Sequence, residues 1–429
     1  MRRRKTRIVC TMGPMEDERI PSTVQEFIQA GMDVARINMA HYDVSDKSQR
    51  EYLHKLLVAI RRKAEECGEQ VAIMGDIQGP KVRIRRFLGS LSGQSQVRLE
   101  KDEEFVLTME SDENIIDASD KGASVSYEGD FHFFNQISEN VSDEENGEPG
   151  DIELWFADGK VIIKTSVSQI EPTHARCKVV VPGELKERQG ITVKGSTIKP
   201  EHYNLADYPK DGADIVFLLR EGVDLFALSF VNSAQDIMNM QAYIRGKVNE
   251  LGLGLIRKRF LGMRDVPIIA KIETAEGVAR LDEIMDACFG VMVARGDLAL
   301  RTGIANIGIL QKQIIDRCAT KAKPVITATQ MLLSMMDFRE PRRPEVTDVT
   351  NAIFDGTDAL MLSEETGDPS SLFPREAIST MARIAVKTEE EIRERNRIEY
   401  RNKITERHER AKDVLRENER KVDEARTLG

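Results

Sequence analysis

A lysine and a glutamate close an apolar run in the stretch PIIAKIETAEG, residues 267–277. Side chains alternate faces along an extended strand, so Lys271 and Glu273 point the same way. Other apolar runs end in polar groups too: Arg36-Ile-Asn38 with His41, Asp76 with Gly79-Pro80-Lys81-Val82-Arg83, Arg295-Gly296-Asp297, Thr327-Ala328-Thr329-Gln330, and Ser363-Glu364-Glu365-Thr366. Charges are costly to bury unless they are paired or bind a ligand. Glu273 and Asp297, on neighbouring strands, can hold a hard divalent cation, because Mg²⁺ takes only one or two carboxylates and completes its shell with substrate oxygens and water. Lys271 would then be a fixed positive charge beside the metal, and Arg36 offers a fork that fits phosphate. Cations around one metal are what phosphoryl transfer requires, since that chemistry rests on positioning and charge neutralisation. The competing reading is a structural ion-pair network of Lys271, Glu273, Asp297 and Arg295. It explains one pair readily but not the whole set of strand ends.

The elements that must position these groups are short and apolar. Eight runs recur: Arg7–Thr11, Asp33–Asn38, Val71–Asp76, Val223–Phe230, Pro267–Lys271, Gly290–Ala294, Pro324–Ala328 and Asp358–Ser363. They are too apolar for half-exposed strands, as expected of a parallel sheet covered on both sides. Amphipathic stretches lie between most of them, for example Asp46–Glu66, Ser233–Lys247, Val278–Ala287 and Ile307–Lys321. Eight strand–helix units in sequence predict an α/β fold, a (β/α)8 barrel, with an open doubly wound sheet as the alternative. Active sites of such barrels lie at the C-terminal ends of the strands, where the polar groups collect.

The spacing breaks once. Between about residues 85 and 203 short alternating runs replace the helical pattern: Phe105–Met109, Ile152–Phe156, Val161–Val167, Lys178–Val181 and Ile191–Val193, with turn signals at Asn146-Gly147 and Asp158-Gly159. The expected division is a barrel over 1–84 and 204–386, an inserted β-rich lid over 85–203, and a charged helical tail over 387–429. In the tail Ile404, His408, Ala411, Leu415, Asn418, Val422 and Ala425 repeat at alternating steps of four and three. That is a weak heptad seam, open to self-association or to packing on its own barrel.

Composition narrows the classes. The 41% hydrophobic and 31% charged content fits a soluble globular protein, and the net charge of −10 argues against nucleic acid as a partner. No run of about 18 apolar residues is present, so no membrane span is expected. The basic N-terminus runs directly into a strand without a signal segment. Five scattered cysteines (Cys10, Cys67, Cys177, Cys288, Cys318) read as reduced thiols of a cytoplasmic protein.

Seven segments follow one another along the chain: RKTRIVCTMGP (4–14), GMDVARINMAH (31–41), GDIQGPKVRI (75–84), IIAKIETAEGV (268–278), VMVARGDLAL (291–300), KPVITATQML (323–332) and TDVTNAIFDGTDALMLSEETG (347–367). In this order they resemble the pyruvate kinase family. The resemblance implies transfer of a phosphoryl group from phosphoenolpyruvate to ADP, giving pyruvate and ATP. It implies that Glu273 and Asp297 bind Mg²⁺ or Mn²⁺, that Lys271 steadies the phosphoryl group, and that Arg36 contacts phosphate. Thr329 would lie near the enolate carbon, with Ser363 among the catalytic positions. The amides around Gly296 and Asp297 would receive the substrate carboxylate, and Pro14, His41 and Arg83 fall on the nucleotide side.

The departures from the family pattern are also specific. The monovalent-cation ligands Asn, Ser, Asp and Thr stand here as Asn38, Ala40, Asp76 and Ile77, and the family's Glu is Lys81. A lysine ammonium in place of the missing charge predicts that K⁺ is not required. Gln78, Asn232, Thr274, Ala299, Arg188, Gln189 and Glu364 replace other family residues. Loss of positive charge on the nucleotide side keeps two alternatives open: a metal-dependent lyase or aldolase acting on pyruvate-like acids, and a weakly active paralogue serving as a binding or scaffold protein. The family normally continues with a C-terminal domain, and the expectation is that none follows the charged helix here. The expectation is a form without that regulatory domain, with any homo-oligomer formed through the barrel or the tail.

Overall fold

The computed structural model describes residues 4–126, 133–139, 152–156, 159–194, 205, 208–252 and 266–396. The Asn146-Gly147 turn, Asp158 and the entire 404–425 seam lie outside the described residues.

Eight parallel strands close a barrel: β1 (Arg7–Thr11), β2 (Val34–Asn38), β3 (Ala72–Ile77), β4 (Leu225–Leu228), β5 (Ile268–Ile272), β6 (Gly290–Ala294), β7 (Val325–Ala328) and β8 (Ala359–Leu362). Each pairs with its sequence neighbour, and β8 returns to β1 with Arg7 opposite Ala359. The open-sheet alternative is thereby excluded. Their apolar runs have two dry faces, as a barrel requires. One face points inward, where Val9, Met74, Ala227, Ile269, Met292, Ile326 and Met361 fill the interior. The other packs on the helices, through residues such as Ile8, Ile73, Ile268 and Ala270.

This period of two decides what reaches the mouth. The residues two positions beyond the interior plug are Thr11 after Val9, Arg36 after Val34, Asp76 after Met74, Ser229 after Ala227, and Lys271 then Glu273 after Ile269. Six polar side chains therefore share one face of the barrel end.

The helices follow local rules. Lys47–Cys67 is capped by Asp46, whose carboxylate accepts from the amides of Ser48 and Gln49, and it stops at Gly68, which takes φ 68°. The helix expected over Val278–Ala287 is instead two, Ala275–Ala279 and Leu281–Ala287, broken at Arg280 (φ −101°, ψ 18°). Strand four is shorter than expected, because the chain turns at Ser229–Phe230 with Phe230 at φ 57°.

Between β3 and β4 the chain builds a second sheet. Its strand order is Ile191–Val193, Ile152–Phe156, Val161–Thr165, His174–Val181, Glu104–Met109, Lys121–Ser126 and Arg83–Gly89. Its own core holds Phe87, Phe105, Phe133, Phe134 and Phe156. The sheet begins at Arg83, immediately after the turn Gly79–Lys81, and its strand Ile191–Val193 lies against the barrel helix Arg295–Thr302. A helix over 374–396 packs into the apolar layer around the barrel through Ala377, Ile378, Met381 and Ala385.

Candidate active site

The barrel end gathers the polar residues into one connected cluster. Lys271 Nζ donates to Ser229 Oγ at 2.7 Å and lies 3.2 Å from Glu273 Oε1 and 3.3 Å from Asp76 Oδ1. Asp76 Oδ2 accepts from Arg36 Nε at 2.7 Å, and Arg36 Nη1 donates to Thr11 Oγ1 at 2.9 Å. Glu273 Oε2 accepts from the Phe230 amide at 2.7 Å. Asp297 Oδ1 accepts from Lys81 Nζ at 2.7 Å. The side chains of Asp76, Lys271 and Glu273 are all nearly solvent-free, so their charges act in a low-dielectric setting.

The electrostatics follow from burial and neighbours. Burial disfavours the Asp76 charge, but Lys271 and Arg36 outweigh it and hold the carboxyl below its usual range. Burial works against the Lys271 ammonium, and Asp76 and Glu273 overcome it and raise its pKa. Glu273 is different. Burial pushes it up, the Asp297 charge pushes in the same direction, and Lys271 opposes without prevailing. Asp297 itself is held low despite burial, by Lys81 and Arg301.

Two carboxylates that repel one another across a buried mouth fit a divalent cation, which would relieve the repulsion. Among the described residues no group of three or more acidic, histidine or cysteine side chains is arranged for a metal. Glu273 and Asp297 are the carboxylates that would hold such a cation, and a hard cation with two carboxylates keeps positions for substrate oxygens.

Thr329 sits past β7 at φ 70°, and Gln330 follows at φ 53°. A β-branched residue in the left-handed region is strained, so surrounding contacts must hold it. Arg295 does so: Nε donates to the carbonyls of Ala328 and Thr329, each at 3.2 Å, and Nη1 is anchored on Asp348 at 2.7 Å. Thr329 Oγ1 accepts from the Gly296 amide at 2.8 Å and donates to Ala328 O at 2.6 Å.

Several expected site residues stand apart from the cluster. Arg295 is not part of the Lys271 ion pairs; it clamps the Thr329 turn. Lys81 contacts Asp297 rather than Asn38 or Asp76, and Asn38 Oδ1 accepts from the Ala40 amide at 3.3 Å. Ser363 gives its amide to Glu365 Oε2 at 2.8 Å, and its buried hydroxyl has no hydrogen-bond partner among the described residues. Pro14 and His41 are exposed at the rim. The His41 imidazole is held below its usual range by desolvation and by Arg36 and Arg83; because the residue is exposed, the two guanidiniums are the cause that carries weight. Arg83 lines a cavity of about 580 Å³ between the barrel and the second sheet, with Lys81, Arg85, Arg188 and Lys210 facing it and Asp43, Glu187 and Asp211 opposing them.

Ser229, Phe230, Thr11 and Arg301 belong to the site and were not singled out from the sequence. Thr11 and Ser229 were within reach, since each lies two residues past an interior plug residue of its strand.

The comparisons with known proteins agree with this architecture. The chain matches the family described as "Pyruvate kinase, barrel domain" over residues 3–378. It is similar to the pyruvate kinase of Thermococcus litoralis, with 37% identity over 91% of this chain and 70% of that protein. Similarity to the pyruvate kinases of Sporosarcina psychrophila and Geobacillus stearothermophilus is 34% in each case, over 90% and 94% of this chain. The chain spans 57% and 60% of the length of those two relatives. With the barrel, the inserted sheet and the ordered motifs in place, the chain belongs to the pyruvate kinase family.

Proposed function

We propose that this chain transfers the phosphoryl group of phosphoenolpyruvate to ADP, giving pyruvate and ATP, with Mg²⁺ or Mn²⁺ and without a requirement for K⁺. The observation that carries the reading is the Lys271 ammonium, held at once by Ser229, Asp76 and Glu273, with the Glu273 charge facing Asp297. A buried lysine whose donors meet three oxygens at the barrel end, beside two repelling carboxylates, suits a site where a phosphoryl group arrives.

In this reading the bond from phosphorus to the enol oxygen breaks, a bond from phosphorus to an ADP β-phosphate oxygen forms, and the enolate carbon takes a proton from solvent. Glu273 and Asp297 would hold a divalent cation, which would supply charge neutralisation at the reacting oxygens. Lys271 stabilises the phosphoryl oxygens in flight, at no reorganisation cost because its position is already fixed. Arg36 has Nε and Nη1 committed to Asp76 and Thr11, leaving Nη2 for a phosphate oxygen. Thr329 lies beside the enolate carbon, and the amides around Gly296 and Asp297 take the substrate carboxylate. Pro14, His41 and Arg83 flank the nucleotide, with the cationic cavity receiving its phosphates. Asn38 and Asp76 match monovalent-cation positions, and in this reading the Lys81 charge substitutes for the ion from its place on Asp297. We place the reaction in the cytoplasm, in line with five free cysteines, and any homo-oligomer on the barrel or the tail.

A coupled assay with phosphoenolpyruvate, ADP and Mg²⁺ tests the proposal. Turnover that Glu273→Ala abolishes supports it. Absence of turnover with every nucleoside diphosphate, with metal-dependent binding of oxalate retained, favours a lyase or aldolase acting on pyruvate-like acids. In buffer free of Na⁺ and K⁺ the rate should persist; a strong demand for K⁺ contradicts the role given to Lys81.

A further inference from the structure

Phe230 holds a position no bulky residue takes without support. Its φ of 57° lies in the left-handed region, and it is nearly buried. Its amide donates to Glu273 Oε2 at 2.7 Å. Its ring carries two cations, Lys81 Nζ at 5.5 Å and the Arg301 guanidinium at 5.1 Å from the centroid. Both distances are within cation–π range. Lys81 is hydrogen-bonded to Asp297, and Arg301 is the next strongest charge acting on that carboxylate. Arg301 Nε is buried without a hydrogen bond among the described residues, and the guanidinium faces the ring at 5.1 Å.

Behind the ring a chain of hydrogen bonds closes on the same strand end. Asn232 Nδ2 donates to the Phe230 carbonyl at 3.1 Å. Asn232 Oδ1 accepts from Thr274 Oγ1, which in turn accepts from the Gly277 amide at 3.0 Å. Thr274 directly follows Glu273. Asn232 and Thr274 are two of the departures from the family pattern, and the structure shows that they touch: they form one matched pair.

We infer that Phe230, buttressed by Asn232 and Thr274, is a positioning residue that aims the Glu273 and Asp297 carboxylates at a common point. Its amide fixes one carboxylate, and its ring seats the two cations that flank the other. This rests on the reading of those carboxylates as one divalent-cation site. Partners that orient metal ligands are worth about 10–100-fold in metal affinity.

The test is Mn²⁺ titration of the full chain followed by electron paramagnetic resonance, with thermal melting as the control for folding. Phe230→Leu, Asn232→Ala and Thr274→Val should each weaken Mn²⁺ binding by about tenfold or more. The conservative variants Phe230→Tyr and Thr274→Ser should keep it. The double variant Asn232→Ala/Thr274→Val should lose no more than the worse single one, because both act through one carbonyl. Binding within about twofold of the parent in folded Phe230→Leu and Thr274→Val, while Glu273→Gln abolishes it, overturns this inference and leaves the metal site standing. A parent chain that binds no Mn²⁺ overturns both. Loss in the variants that tracks only a lowered melting temperature, equal in Thr274→Ser and Thr274→Val, assigns Phe230 a purely structural role and also overturns it.

Discussion

The charge of Lys271 is fixed by three oxygens rather than by one carboxylate, which suits the role proposed for it in phosphoryl transfer. Removing it leaves Asp76 and Glu273 buried with less compensation and takes away the positive charge they share. Lys271→Met should lower kcat by about 10²–10³ or more, with a smaller change in KM, since preorganised charge acts on the transition state. Steady-state kinetics with the folded variant check this; an unchanged kcat would remove Lys271 from the reaction. Most of this residue-scale detail was legible because Lys271 and Glu273 alternate on one strand. The contacts of Lys81 with Asp297, 216 positions apart, were not. Sequence spacing carries no record of which distant side chains a barrel brings together. Phe230 was hidden for another reason: it reads as one more apolar strand residue, and only its backbone conformation marks it.

At the scale of elements, the strands declared themselves because both their faces are dry, which leaves an uninterrupted apolar run. Strand four read too long for the same reason, since Phe230 and Val231 stay buried in the turn after it. The helix break at Arg280 left no mark, because the sequence carries neither Gly nor Pro there. Close approach between elements is equally silent. A Cβ on Gly13 would lie 1.8 Å from the carbonyl oxygen of Gly367, where the loop after β1 meets the helix after β8. Gly13→Ala should therefore destabilise the fold by about 1–3 kcal/mol, read by denaturant melts; an unchanged midpoint would contradict that contact.

The helix Pro209–Arg220 sets a second element-scale expectation. Asp214 is buried on it, paired with Lys210 at 2.7 Å, yet burial pushes its pKa up to about 7 because a single ammonium does not offset the lost hydration. A carboxyl raised in the folded state costs nothing below its unfolded pKa near about 4. Its penalty builds as pH rises toward about 7 and is constant above. The melting temperature of Asp214→Asn relative to the parent should thus climb between about pH 4 and 7 and then level off. A difference independent of pH would show that Asp214 ionises normally.

Across the whole molecule, residues from opposite ends of the described chain meet at the entry to β1. The Glu389 carboxylate accepts from the amides of Lys5, at 2.9 and 3.1 Å, and of Thr6, at 2.8 Å. Glu389→Ala strands two backbone donors at the entry to β1 and should cost about 1–3 kcal/mol of stability while leaving kcat near the parent value, because it lies at the end remote from the mouth. A loss of activity without a loss of stability would contradict that separation. The central claim concerns the mouth itself: the carboxylates of Glu273 and Asp297 share one divalent cation beside the Lys271 ammonium. A crystal structure of the chain with Mn²⁺ and oxalate addresses it directly. The account predicts one ion bonded to an oxygen of each carboxylate at about 2.0–2.2 Å, with oxalate completing the shell and Lys271 in contact with oxalate. An ion bound away from either carboxylate, or oxalate bound elsewhere, would contradict it.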